Sequence, residues 1–330
     1  MSPIQDPMVS VCMITYNHEK YISQAIEGVL MQKADFSIEL VIGEDCSTDN
    51  TRTICEQYAN HHSDIIRLLP KEKNMGMIPN LIRTFQACRG KYLAFCEGDD
   101  YWINANKLHI EVDFLEGNPD YGLVYTDVDR KFETYQKYQK SIFGNKYKER
   151  SLNFEEHLIN KSYLAPLTWV FRRELLPSLN ESYSDGTFAL MLDFFKITKI
   201  HYMDIVTGVY RTSVGSASKL PKGRGSYCYE KGVFRIQQKY IEKYKVTKDI
   251  SFQIEYENYL KLFEIAIEYN DYSFINEASK FFIDNNLVSE AIVAMVQKKS
   301  REIRRLNSLK IVRIARSIST AIHWFKRQIS

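Results

Sequence analysis

Several signals that would permit a quick assignment are missing from this chain. Its six cysteines, Cys12, Cys46, Cys55, Cys88, Cys96 and Cys228, form no CxxC pair and no ordered spacing. That argues against a disulfide frame or a structural zinc site and suits reduced, mostly buried thiols. No GxGxxG follows the first apolar run and no GxxxxGK[ST] occurs, so a dinucleotide fingerprint and a P-loop are both excluded. No stretch approaches the length needed to cross a bilayer. Residues 1–8 hold no basic segment followed by an apolar core, so no secretory signal is read and a cytoplasmic location is expected. With 44 Lys and Arg against 41 Asp and Glu, the net charge of +3 gives no whole-molecule case for nucleic acid. There is no low-complexity segment and no evident repeat. What is present is length: 330 residues allow one large domain or two modest ones with ample core. The 22 Tyr and 18 Phe suit aromatic-lined sugar or base sites and equally an ordinary core.

The apolar pattern alternates between two kinds. Residues 9–15 read as a strand, broken at Tyr16-Asn17-His18, and residues 19–32 carry Ile22, Ile26, Val29 and Leu30 at helical spacing. A strand at 38–43, a helix at 51–60, a strand at 65–69 and a helix at 77–88 follow, with Gly90 stopping the last. Strands alternating with helices are the signature of a parallel sheet with crossover helices. A further helix is expected at 107–117, strands at 123–126, 168–171 and 201–210, and helices at 152–160 and 188–195. Residues 130–150, rich in Lys and Tyr without a clean period, read as a mobile or variable excursion.

The stretch Tyr92-Leu93-Ala94-Phe95-Cys96-Glu97-Gly98-Asp99-Asp100 organises this half. It begins as a buried strand and ends in three carboxylates within four positions. Carboxylates at the carboxyl end of a central strand stand where open α/β sheets bind ligands. Crowded together, they repel unless a hard cation such as Mg2+ or Mn2+ joins them, and such an ion completes its shell with phosphate oxygens. The stretch therefore predicts a metal–diphosphate site at Glu97, Asp99 and Asp100. The alternative is a turn whose aspartates cap the next helix. The earlier strands also end in polar groups, Thr15-Tyr16-Asn17 and Glu44-Asp45, so three distant clusters are expected to converge on one crevice. Asp185 stands at a helix start beside it, as a functional acid or as an ordinary N-cap. Arg211 opens a small polar loop, 211–218, that suits closure over a diphosphate or serves as a plain connector.

From about 223 the pattern becomes purely helical, at 227–244, 252–269, 272–284 and 287–299. From about 298 it turns basic, with Lys298, Lys299, Arg301, Arg304 and Arg305 interleaved with apolar residues. Such a tail suits an anionic membrane surface at the inner face of the membrane, or a solvated helix packed on its own domain.

Taken together, these residues resemble glycosyltransferase family 2 of the GT-A fold, in its bacterial surface-polysaccharide type. The resemblance runs from about Val9 to Ser218. It rests on the opening strand with Thr15-Tyr16-Asn17, on Glu44-Asp45-Cys46-Ser47-Thr48-Asp49-Asn50-Thr51, on the Asn74-x-Gly76 turn, on Glu97-Gly98-Asp99-Asp100 in place of DxD, and on Tyr210-Arg211 with Ser216. Two motifs depart from the usual pattern: Glu97 replaces the first Asp of DxD, and in the second motif Glu44 and Cys46 replace Asp and Gly. The resemblance implies a single Rossmann-like α/β domain with a mostly parallel sheet at 1–222, followed by a helical region at 223–330. It implies a nucleotide-sugar donor, most commonly a UDP-sugar, held by Thr15, Tyr16, Asn17, Glu44, Asp45, Asn74, Asp99 and Arg211. Mn2+ or Mg2+ would sit on Glu97, Asp99 and Asp100. Asp185 falls where the family's catalytic base stands, and inversion at the anomeric carbon is expected. The acceptor implied is a glycan or a lipid-linked oligosaccharide. The competing readings are a non-catalytic nucleotide-sugar- or carbohydrate-binding relative, which would be expected to lose these acids, and a nucleotidyltransferase, which would need a basic phosphate-gripping loop after the first strand.

Overall fold

The computed structural model describes residues 6–144, 152–162, 164–212 and 223–295. The chain divides into two compact units, Met1–Lys219 and Leu220–Ser330.

The first unit is built on one nine-stranded mixed sheet. Its strands are β1 (Val9–Thr15), β2 (Ile38–Glu44), β3 (Ile66–Leu68), β4 (Tyr92–Phe95), β5 (Tyr101–Trp102), β6 (Tyr121–Phe132), β7 (Lys137–Gln139), β8 (Trp169–Arg172) and β9 (Lys199–Thr212). β1 and β4 are buried along their whole length, which is why they read as continuous apolar runs rather than alternating ones. The order is β3-β2-β1-β4-β8-β6-β9-β5, with β7 hairpinned on β6. β3, β2, β1 and β4 are mutually parallel, while β8 runs antiparallel to β4 and to β6. The chain steps outward from β1 to β2 to β3 and then returns to the other side of β1 as β4. That reversal is a topological switch point, where the loops after β1 and β4 diverge and leave a crevice at the carboxyl edge.

Helices α1 (Ile22–Leu30), α2 (Thr51–His61) and α3 (Met77–Ala87) connect the parallel strands. α3 lies directly on β2. A Cβ at Gly43 would fall 1.9 Å from Thr84 Oγ1, and Asn80 Nδ2 donates to the Gly43 carbonyl at 2.7 Å. α4 (Lys107–Gly117) follows β5, and its N-cap residue is Asn106. Asp99 and Asp100 therefore do not cap that helix. They lie in a turn tied at both ends, by β4 on one side and on the other by β5, which pairs antiparallel with β9 through Tyr101–Val209 and Trp102–Gly208.

The expected strand at 123–126 is much longer, because β6 pairs with β9 as far as Phe132 and Thr212. Its polar residues Asp127 and Asp129 are buried rather than terminal. Asp127 accepts from the amides of Phe143 and Gly144, and Asp129 from the Ser141 amide and Lys140. The expected mobile excursion is thus ordered through residue 144 by the β6–β7 hairpin and these two anchors. This unit also carries α5 (Phe154–Asn160) and α6 (Gly186–Ile197).

The second unit carries α7 (Arg224–Tyr244), α8 (Lys248–Glu268) and α9 (Tyr272–Asp284). Phe234, Phe263, Phe274 and Phe282 are fully buried among them. Asp271 caps α9 through the Phe274 amide and accepts from Tyr227 and Lys231. The loop with Ser216 and the basic tail from about 298 lie outside the described residues.

Candidate active site

A cleft of about 1020 Å³ opens at the carboxyl edge of β1, β2 and β4. Residues 14–21, the end of β1 and the loop after it, form one wall, with Asp45, Asn74 and Gly76 beside them. Glu97 and Asp99 lie across the floor, and Glu133 and Thr134 from the β6–β7 turn face in from the far side.

The loops after β1 and β2 are laced together. Asn17, in the left-handed region at φ 56°, accepts from the Thr48 amide at 2.8 Å and donates its own amide to Ser47 Oγ at 2.9 Å. The His18 amide donates to Thr51 Oγ1 and the Glu19 amide to Asp49 Oδ2. The sequence Ser47-Thr48-Asp49-Asn50-Thr51 spends its short polar side chains on the neighbouring loop. α2 has no side-chain cap of its own.

Asp45 is buried in the cleft wall, and both its carboxylate oxygens are engaged. The Met75 amide donates to Oδ1 at 2.8 Å and the Gly76 amide to Oδ2 at 2.9 Å. Asn74 Nδ2 donates to the Asp45 carbonyl at 2.9 Å, and Gly76 takes φ 87°, a conformation that favours glycine. Asp45 therefore shapes the 74–76 turn while still facing the cleft. A carboxylate offers about four lone pairs, so two remain for a ligand. Replacing Asp45 with Ala should lower unfolding stability by about 2–3 kcal/mol, read by urea denaturation, because two amides lose a charged partner. An unchanged midpoint would show that the turn does not depend on this carboxylate.

Glu44, expected beside the nucleoside, does not line the cleft. Side chains alternate along β2, so Glu44 turns to the opposite face from Asp45. It is fully buried there, accepting from the Ser47 amide at 2.5 Å, with Arg52 Nη1 3.7 Å from Oε2. Its work is to hold the loop after β2.

The acidic turn divides its three carboxylates. The Asp100 amide donates to the Glu97 carbonyl at 3.0 Å, closing a tight turn, and the Gly98 amide donates to the Ile14 carbonyl at 2.9 Å. A Cβ at Gly98 would lie 2.5 Å from Thr15 Oγ1, so only glycine lets the turn approach β1 this closely. Glu97 and Asp99 face the cleft. Asp100 is turned inward, 1% exposed, where Oδ1 accepts the Arg211 amide at 2.8 Å and Oδ2 is buried without a hydrogen-bond partner. Of the three carboxylates expected to meet a metal, only Glu97 and Asp99 line the cleft; Asp100 does not. Among the described residues, no group of three or more His, Cys, Asp and Glu is gathered to hold a metal.

Burial, repulsion from Asp99 and repulsion from Asp185 push the Glu97 carboxyl up to about 8. Burial, then repulsion from Asp99 and Glu97, pushes Asp100 well above the usual carboxylate range, against a smaller pull from Arg211. Acids crowded to this degree fit a divalent cation, whose charge would relieve the repulsion. Two carboxylates with open positions are what Mg2+-type sites use when phosphates complete the shell.

Arg211, expected on the diphosphate, lies behind the floor. It is 3% exposed, and its guanidinium lies over the rings of Tyr101 and Tyr21 at 4.2 and 5.0 Å. It donates to the Asp99 carbonyl at 2.6 Å, to Glu133 at 3.1 Å and to Gln24. Arg211 thereby braces the acidic turn, α1 and the β6–β7 turn. Asp185 is the N-cap of α6, with Oδ1 accepting from the Phe188 amide and from Thr187 Oγ1, both at 2.9 Å. It is not part of the cleft lining, yet its charge acts on Glu97. A Cβ at Gly186 would lie 2.7 Å from Ile78 Cδ1, so this helix start abuts α3 one residue past the cleft-lining Met77.

His18, Glu133 and Thr134 are among the polar lining residues to which the sequence assigns no role. His18 follows Tyr16-Asn17 at a strand's carboxyl edge, and that position was its only signal. Glu133 and Thr134 sat inside the supposed excursion.

The fold is of the GT-A type. S. aureus TarS 1-349, solved in complex with UDP-GlcNAc, superposes with a TM-score of 0.58 at 19% identity, covering 87% of this chain and 81% of that one. The mannosyltransferase PcManGT from Pyrobaculum calidifontis, solved with GDP-Man and Mn2+, gives 0.54 at 16% identity, covering 89% and 88%. In sequence, the putative glycosyltransferase EpsE of Bacillus subtilis is 37% identical over 120 residues, 36% of this chain and 42% of that protein. This chain spans less than half the length of the curated relatives it matches. The family model described as Glycosyl transferase family 2 matches residues 10–179, just over half the chain and the whole stretch that builds the switch-point cleft, and the chain belongs to that family.

Proposed function

We propose that this chain transfers a sugar from a nucleotide-sugar, a UDP-sugar by the motif reading, to a hydroxyl of a glycan or lipid-linked oligosaccharide. The observation that carries the reading is the pair Glu97 and Asp99 on the floor of a cleft at the sheet's switch point, with the charge of Asp185 acting on Glu97. Thr15, Tyr16, Asn17 and Asp45 would hold the nucleoside, with Asn74 shaping the wall. Glu97 and Asp99 would hold Mg2+ or Mn2+, whose chemistry is to offset charge on the departing diphosphate. Asp185 would take the proton from the acceptor hydroxyl as it attacks the anomeric carbon, and attack from the opposite face inverts the configuration. We place this chemistry in residues 1–222 and leave the helical region outside it. The basic residues from 298 on would meet an anionic membrane surface. No helix among the described residues is long and apolar enough to cross a membrane.

The test is a thermal-shift screen of nucleotide-sugars with Mn2+ and with EDTA. A ligand at a hundred times its dissociation constant stabilises the folded state by about 2.7 kcal/mol. One class of nucleotide-sugar should raise Tm by several degrees, and more in Mn2+ than in EDTA. If every nucleotide-sugar leaves Tm unmoved in both buffers, the transfer reading is wrong.

A further inference from the structure

With Arg211 committed behind the floor, something else must meet the phosphates from the protein side. Among the described lining residues, side-chain N–H donors are few. Asn74 Nδ2 and Asn80 Nδ2 already donate to the carbonyls of Asp45 and Gly43. Asn17, Lys20 and His18 remain; Lys20 is exposed, and the exposed Asn17 carboxamide is already turned to the neighbouring loop, its Oδ1 accepting from the Thr48 amide and hydroxyl.

His18 is fixed from several directions. Its amide donates to Thr51 Oγ1 at 2.8 Å, and its carbonyl accepts from the amides of Tyr21 and Ile22 at 2.8 and 2.9 Å. Its ring Nδ1 lies 3.2 Å from Thr15 Oγ1, and its Nε2 lies 3.9 Å from Asp99 Oδ2. The carboxylate of Asp99 can only accept, which favours the tautomer with the proton on Nε2. Thr15 then donates its hydroxyl proton to Nδ1. The result is a held N–H at the rim of the acidic turn, with the ring still 25% exposed to the cleft.

We propose that His18 is a donor-binding residue whose Nε2–H bonds an oxygen of the nucleoside diphosphate, the role that the chain's own Arg211 is placed too deep to fill. This rests on the nucleotide-sugar reading above. A hydrogen bond to a charged oxygen should matter for the diphosphate and not for the nucleoside, which lies further along the wall toward Asp45.

The experiment is calorimetric titration of UDP, uridine, GDP and guanosine into the full chain, in EDTA and again in Mn2+. Wild type is compared with His18→Ala and His18→Gln. For the nucleotide that wild type takes, His18→Ala should weaken diphosphate binding roughly ten- to a hundredfold and leave the nucleoside unchanged. His18→Gln keeps an N–H donor and should recover part of the loss. Equal weakening of nucleoside and diphosphate would reduce His18 to a brace for its loop and overturn the proposal, as would no weakening at all. Wild type that binds neither UDP nor GDP in either buffer would instead overturn the transfer reading itself, and this inference with it.

Discussion

Asp185→Asn should bind its nucleotide as wild type does and transfer sugar roughly 10²- to 10⁴-fold more slowly, the range a general base contributes. Asn is the substitution that separates chemistry from structure here. The Asp185 side chain caps α6 through the Phe188 amide and Thr187 Oγ1, and Asn caps a helix about as well as Asp. The helix start and its contact with Ile78 should therefore survive, while the capacity to hold a proton is lost. Asp185→Ala should add a stability loss of about 1 kcal/mol from the missing cap. Release of nucleoside diphosphate, with and without acceptor, reads the transfer, and titration of the nucleotide reads binding. Undiminished turnover in the Asn variant would remove Asp185 from the base role and leave it an N-cap. Loss of nucleotide affinity alongside activity would place its effect on the donor side.

The strands legible in the sequence were those whose burial is complete. β1 and β4 carry apolar residues on both faces and read as continuous apolar runs closed by polar breaks. β6 was cut short at Thr126 because Asp127 and Asp129 look like a strand end. Their partners, the amides of 141–144, lie more than ten residues away and are invisible to local pattern. The same limit governs the site. Asp45 and Glu44 are adjacent in sequence and equally acidic, yet strand alternation sends one to the cleft and the other into the interior. Asp99 and Asp100 are separated by a turn whose closing bond runs from the Asp100 amide to the Glu97 carbonyl. Sequence could place the acids at one sheet edge. It could not say which carboxylate would face outward, because that depends on pleat and turn geometry one residue at a time. Arg211 failed for a related reason: it reads as opening a loop after the strand, whereas β9 runs on to Thr212, and Tyr21, Tyr101 and Gln24 close around it from elements that only the fold brings together.

Glu97→Gln should separate the cost of the acidic site from its use. In the folded chain this carboxyl is pushed to about 8 from an ordinary 4.5, by burial first and then by Asp99 and Asp185. Between those two values the unfolded chain is ionised at this position while the folded chain keeps its proton. Folding stability without metal must therefore fall as pH rises through that window. Gln carries no such charge, so the variant should melt higher than wild type at pH 8 in EDTA and lose that part of the slope. Adding Mn2+ should reverse the ranking. On the proposed reading the deprotonated Glu97 would help hold the ion, so wild type should gain stability with metal and nucleotide together while Glu97→Gln gains little. Transfer should fall roughly 10²- to 10³-fold, as expected when charge stabilisation at the leaving group is removed. Melting curves from pH 5 to 9 in EDTA and in Mn2+ with nucleotide read all of this. If Glu97→Gln keeps a metal-dependent rise in nucleotide affinity, the cation sits elsewhere. If it keeps the wild-type slope in EDTA, the strain in the turn belongs to Asp100, whose carboxyl is buried beside it with one oxygen unpartnered.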